Sequence, residues 1–123
     1  MSPDARSFYR EWPSRMSHAK ASASDAPKGF GGLYQSVMKP GAMSVREKEL
    51  VALGIGMAIR CEPCIYIHVE KALKAGATRE QIMETAGVAV MMQGGPTYTY
   101  LPVVVEALDA MESKEPAVTA EAT

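Results

Sequence analysis

Neither sign of charge is in excess: 13 Lys and Arg stand against 14 Asp and Glu in 123 residues, a formal net charge of −1. Nucleic-acid binding by phosphate neutralisation needs a basic surplus on one face, and this composition does not supply it. Long hydrophobic runs are also missing. Residues 50–59 are apolar or glycine throughout, but ten residues rise only about 15 Å, half a bilayer core. Residues 85–105 are long enough and uncharged, yet Gln93, Gly94-Gly95-Pro96 and Pro102 break them into separate elements. Met1 to Arg15 mixes charges with two prolines and has no apolar stretch of the secretory type. A soluble, cytoplasmic protein with no nucleic-acid or membrane partner is expected.

Aromatics are scarce, at 7%, and strand-like alternation and internal repeats are absent. Nine methionines are many for this length, and flexible thioethers fill irregular gaps between helices. An apolar fraction of 47% argues against global disorder. The fold expected is all-α, in one compact domain of roughly 14 Å radius of gyration.

Three segments are expected. Residues 1–26 form an N-terminal arm and linker, with a short helix over 4–12 stopped by Pro13. Phe8, Tyr9 and Trp12 would give that helix an apolar face better suited to docking than to solvent. Residues 27–112 form the helical domain, and 113–123 a polar, alanine-rich frayed tail. Within the domain Pro27 opens a helix to about Met38, with Phe30, Leu33, Tyr34 and Val37 on one face. Ser44-Val45-Arg46-Glu47 is a capping box opening a helix to about Ile59. That helix turns apolar on every side after its first turn, so a second subunit is expected to cover part of it. Gly54 and Gly56 each cost about 1 kcal/mol there, which a close helix contact would offset. Pro63 begins the next helix, and Gly76 ends it as a left-handed cap. Thr78-Arg79-Glu80-Gln81 caps a helix to about Met92, and a last helix follows Gly94-Gly95-Pro96, with Pro102 in or near its first turn.

The chemistry concentrates between Glu49 and His68. Cys61 and Cys64 are the two cysteines. A structural staple is disfavoured in a reducing compartment, and a bridge three residues apart closes too small a loop to stabilise much. Cys61, Cys64 and His68 stand at i, i+3 and i+7, on one helical face, with His68 one turn beyond Cys64. A free thiol is mostly protonated at pH 7, and only the thiolate attacks a peroxide or a disulfide. A helix N-terminus and an imidazole both favour the thiolate. The second thiol would then close an intramolecular disulfide on whatever the first has formed. Glu49 is the candidate to orient His68. With the two helices antiparallel, their axial positions differ by roughly 9 Å, so spacing alone leaves that contact open. The plain alternatives are two buried small hydrophobes, a carboxylate favoured only by the helix dipole, and a metal module in which Cys61, Cys64 and His68 lack an evident fourth ligand except Glu49 or water.

Glu49, eleven residues, Cys61-Glu62-Pro63-Cys64, three residues and His68 together resemble the signature of the alkylhydroperoxidase D-like branch of the carboxymuconolactone decarboxylase family. Ser44 to Leu50, His68 to Thr78 and the break Met92-Gln93-Gly94-Gly95-Pro96 resemble it as well. The resemblance implies a fold of about six helices assembling as homo-trimers or hexamers. It implies a dithiol peroxidase and thiol-disulfide oxidoreductase with Glu49, Cys61, Cys64 and His68 as its relay and no cofactor. It further implies a lipoylated protein or another dithiol as reductant and a peroxiredoxin as client. Those enzymes carry a histidine just before the second cysteine, where this chain has Pro63, which implies a shorter relay. A carboxymuconolactone decarboxylase-like lyase, whose relatives lack the cysteine pair, is the alternative on the same scaffold. Which thiol attacks stays open.

Overall fold

Asp4 starts the first helix by accepting the Ser7 backbone N–H at 2.9 Å. The computed structural model describes residues 4–23 and 25–121, with side chains described up to Ser113. Among these residues the chain forms seven helical segments and no strand: α1 Ala5–Ser22, α2 Ala26–Met38, α3 Val45–Ala58, α4 Glu62–Lys74, α5 Arg79–Gln93, the single turn α6 Gly95–Tyr98, and α7 Leu101–Glu121. The expected all-α architecture is what is found.

The N-terminal arm corrects an expectation. α1 does not stop at Pro13 but runs through it to Ser22. Its first half is held by the core: Ala5 and Phe8 are buried, the Phe8 ring stacks on Tyr66 at 4.6 Å and on Trp12 at 4.8 Å, and the Tyr9 hydroxyl donates to the Tyr66 carbonyl. Burial of that aromatic face outweighs the hydrogen bond that proline cannot make. What docks is therefore part of this chain's own core. The segment read as a tail from residue 113 likewise has helical backbone to Glu121.

α3, α4, α5 and α7 make that core, with Leu53, Met57, Ile65, Val69, Ile82, Val104 and Leu108 fully buried. Both expected capping boxes are complete: Ser44 with Glu47 opens α3, and Thr78 with Gln81 opens α5. Pro102 is the second residue of α7, where its missing N–H leaves no bond unmade. α3 buries Glu49, Leu53, Gly56 and Met57 on one side and exposes Val51 and Ile55 on the other. α2 has no buried residue at all.

The α3–α4 turn brings the cysteines to the place where these helices cross. Cys61 N–H bonds the Gly56 carbonyl at 2.9 Å and Arg60 N–H the Met57 carbonyl at 3.0 Å, the hydrogen-bond pair of a Schellman cap. Gly56 lets the helices approach: a Cβ on it would lie 3.0 Å from the Cys64 Cβ. Gly54 meets only an ordinary contact, 3.5 Å from the Thr85 methyl.

Candidate active site

Cys61 is not inside α4 but caps it. Its sulfur accepts the Cys64 backbone N–H at 3.2 Å, and Pro63 is the second helical residue rather than the first. Cys64 lies in the first turn, so both sulfurs sit at the positive end of the helix dipole. The sulfurs are bonded to each other, with the Cα atoms 5.2 Å apart. Both cysteines are half-buried, so the pair is at the surface and not a staple inside the core.

One turn beyond Cys64, His68 meets Glu49 across the α3–α4 crossing. Its Nδ1 is 2.7 Å from the Glu49 Oε1. The axial mismatch between the two positions is absorbed without an intervening water, because Gly56 removes the side chain that would hold the helices apart. Glu49 is only 3% exposed. Its second oxygen accepts the Tyr34 hydroxyl at 2.6 Å, and Lys71 lies over the Tyr34 ring at 5.1 Å.

Burial pushes the Glu49 carboxyl up, but the hydrogen bonds from His68 and Tyr34 and the nearby charges of His68 and Lys71 outweigh it and hold the group below its ordinary value. Burial and the Glu49 carboxylate in turn push the Tyr34 phenol well up, so Tyr34 stays protonated and donates. With an ionised Glu49 as acceptor, His68 presents Nδ1–H to it, and Nε2 is the ring nitrogen left to take or give a proton. Among the described residues no hydrogen bond links His68 to either sulfur.

The sequence-predicted residues thus fall into two adjoining pairs, Cys61 with Cys64 and Glu49 with His68, joined through α4. Tyr34 was read only as part of an apolar stripe. A phenol within such a stripe carries a hydroxyl that needs a partner when half-buried, and nothing in the local sequence shows where that partner is. Tyr66 is in the core, whereas Tyr98 is 61% exposed. Among the described residues no group of three or more His, Cys, Asp or Glu is placed to hold a metal ion, and no helix is long and apolar enough to cross a membrane.

The fold agrees with comparisons against known proteins. A protein from Paracoccus denitrificans, described as uncharacterized protein 4 in the cox locus, is 38% identical over 96 residues, 78% of this chain and 84% of that one. A carboxymuconolactone decarboxylase family protein from Legionella pneumophila, solved in its apo form, superposes with a TM-score of 0.61 at 37% identity, over 87% of this chain and 83% of that one. A protein of the same family from Thermotoga maritima superposes with a TM-score of 0.70 at 28% identity, over 77% of this chain and 98% of that one. The model of the carboxymuconolactone decarboxylase family matches residues 24–111, a span holding α2 to α6, most of α7 and every site residue named above. Glu49, the cysteine pair and His68 thus lie within a recognised framework, and the chain belongs to the carboxymuconolactone decarboxylase family.

Proposed function

We propose that this protein is a dithiol oxidoreductase of the alkylhydroperoxidase D type that reduces hydroperoxides through Cys61 and Cys64, with His68 and Glu49 as the proton relay. The observation that carries this reading is the cysteine pair at the start of α4 one turn before an imidazole fixed at 2.7 Å by a buried carboxylate.

In the reduced form the helix start favours thiolate at either sulfur. The thiolate attacks the peroxide: an S–O bond forms, the O–O bond breaks, and the departing alkoxide takes a proton by way of His68 and leaves as alcohol. The second thiol attacks the sulfenic sulfur; S–S forms, S–O breaks and water leaves. The peroxide gains two electrons and the cysteine pair loses two. An external dithiol, which we propose is a lipoyl group on a partner protein, restores the thiols by exchange. Glu49 orients His68 and stabilises the imidazolium. A peroxiredoxin client, a homo-trimeric or hexameric assembly and a cytoplasmic location complete the proposal. For the Thermotoga maritima relative a role in antioxidative response has been suggested.

The test is hydroperoxide consumption in the presence of dihydrolipoamide. Cys61→Ser and Cys64→Ser should each abolish turnover, and His68→Ala should lower it about a hundredfold or more. Trapping the sulfenic acid identifies the attacking sulfur: an adduct that persists in Cys61→Ser but not in Cys64→Ser assigns Cys64. Thiols that alkylate with an ordinary midpoint near pH 8.5 would sink the proposal. Turnover of a lactone acid that survives the double serine variant would point to a lyase instead.

A further inference from the structure

α2 buries none of its residues, and Phe30, Leu33 and Val37 on its apolar stripe are each more than half exposed. Tyr34, by contrast, is half-buried and held from three directions. Its hydroxyl donates to the Glu49 Oε2 at 2.6 Å. The Lys71 ammonium of α4 lies 5.1 Å over its ring. One turn further along, the Lys48 ammonium of α3 donates to the carbonyls of Val37 and Lys39, both at 2.7 Å. Those bonds satisfy carbonyls at the end of α2 and fasten it to α3. What α2 brings to the site is therefore one hydroxyl, 15 residues before Glu49 and outside the signature that runs from Glu49 to His68. Tyr34 from α2 and His68 from α4 donate to opposite oxygens of the one carboxylate on α3.

We infer that Tyr34 is a positioning residue for the relay: its hydroxyl locks one oxygen of the buried Glu49 carboxylate so that the other stays charged and aimed at the His68 Nδ1. The last torsion of a glutamate side chain is broad, so the chain alone does not fix where Oε1 points. Anchoring Oε2 removes that freedom, and a phenol on a rigid ring has few ways to turn aside. Without the phenol the buried Oε2 lacks a partner, and a carboxylate in that state rotates or takes up a proton at higher pH. Either change releases the His68 Nδ1–H, and with it the tautomer that leaves Nε2 bare for proton transfer. Tyr34 keeps its own proton, because burial and the bond to Glu49 push the phenol well up, so it remains a donor wherever the thiols act. Among the described residues no hydrogen bond links Tyr34 to either sulfur, and its effect on them passes through Glu49. This deepens the proposed relay and rests on it for the proton that His68 moves.

The test uses the full chain in its reduced form. ¹³C NMR titrates the Glu49 carboxyl in the presence of its facing groups, Tyr34 from α2 and His68 and Lys71 from α4. ¹⁵N NMR reads the His68 tautomer, with the exposed His18, the other histidine of the chain, as internal reference. Tyr34→Phe keeps the ring under Lys71 and should keep wild-type helicity. It should move the Glu49 midpoint upward and admit the Nε2–H tautomer at His68. Turnover of tert-butyl hydroperoxide at pH 7 should slow about tenfold, the weight of one charge-assisted hydrogen bond. In a Glu49→Gln chain the same change should slow turnover no further. Tyr34→fluorotyrosine, whose more acidic phenol is the stronger donor, should move Glu49 downward and retain the wild-type tautomer; it decides alone if Tyr34→Phe does not fold. In Tyr34→Phe an unmoved Glu49 midpoint or an unchanged His68 tautomer overturns the inference, because water then serves as well as the phenol. A midpoint that ignores fluorotyrosine overturns it too. So do additive losses from Tyr34→Phe and Glu49→Gln, since Tyr34 would then act by packing. Neither NMR readout requires turnover, so a chain without peroxidase activity refutes the proposed function, while this inference is decided by those two signals.

Discussion

Glu49 is the residue on which the site turns, because its carboxylate is almost wholly out of water and accepts from two side chains. Removing one partner of such a group leaves the charge under-satisfied, so His68→Ala should destabilise the fold by about 3 kcal/mol in urea unfolding. An unchanged midpoint would mean that solvent satisfies Glu49 after all. The pH dependence has a definite sign. Glu49 ionises more readily folded than unfolded, so its charged form stabilises the protein fully above its ordinary value of 4.5. That stabilisation is lost as pH falls through the lower, folded value. Glu49→Gln cannot titrate, and its melting temperature should fall less steeply than that of wild type below pH 4.5; parallel curves would remove Glu49 from the acid transition. The sequence offered Glu49 as the group to orient His68, but neither its burial nor its second partner, Tyr34, was legible at the residue level. The spacing of Glu49 and His68 allowed a gap of roughly 9 Å between axial positions, and only the crossing of α3 over α4 closes it.

Elements were more readable than contacts, because caps and breakers act within a few residues of chain. Ser44-x-x-Glu47 and Thr78-x-x-Gln81 each closed reciprocal bonds at a helix start. Gly76, at φ +100°, ends α4 in the left-handed region that suits glycine. The turn before the cysteines makes the same cap with Arg60, at φ +56°, and there the sequence gives no warning. An arginine in that conformation costs roughly 1 kcal/mol relative to glycine. Arg60→Gly should therefore raise stability by about that amount, measured as a shift in urea midpoint at constant slope. A loss of stability would show that the arginine side chain contributes something there which glycine cannot. Gly56→Ala should act in the opposite direction. Its new methyl meets the Cys64 Cβ and the α4 backbone beyond it, with the nearest contact at 3.0 Å, so α4 must move. A destabilisation of about 1–3 kcal/mol is expected, together with a longer Glu49–His68 contact in a crystal structure of the variant.

At the scale of the whole molecule, the two N-terminal helices behave differently, and local sequence ranked them wrongly. α1 contains Pro13 and a polar second half, which reads as an arm, whereas α2 has the cleaner amphipathic period. Yet α1 puts Phe8 against Tyr66 in the core while α2 leaves its stripe outside. The difference depends on what lies across from each helix, and that is a long-range property: Tyr66 is 58 residues from Phe8 in the chain. Periodicity shows that a face is apolar; it does not show which surface covers it. α1 should therefore unfold with the core. Phe8→Ala leaves a cavity beside Tyr66 and Trp12 and should cost about 3 kcal/mol, with unfolding still a single transition by both circular dichroism and tyrosine fluorescence. The amides of α1 near Phe8 should exchange hydrogen as slowly as those of α4. Those of α2, which buries none of its residues, should exchange orders of magnitude faster through local opening. Fast exchange around Phe8 in the intact protein, or no change of stability in Phe8→Ala, would make α1 an appendage after all and leave the core to the helices from α3 onward.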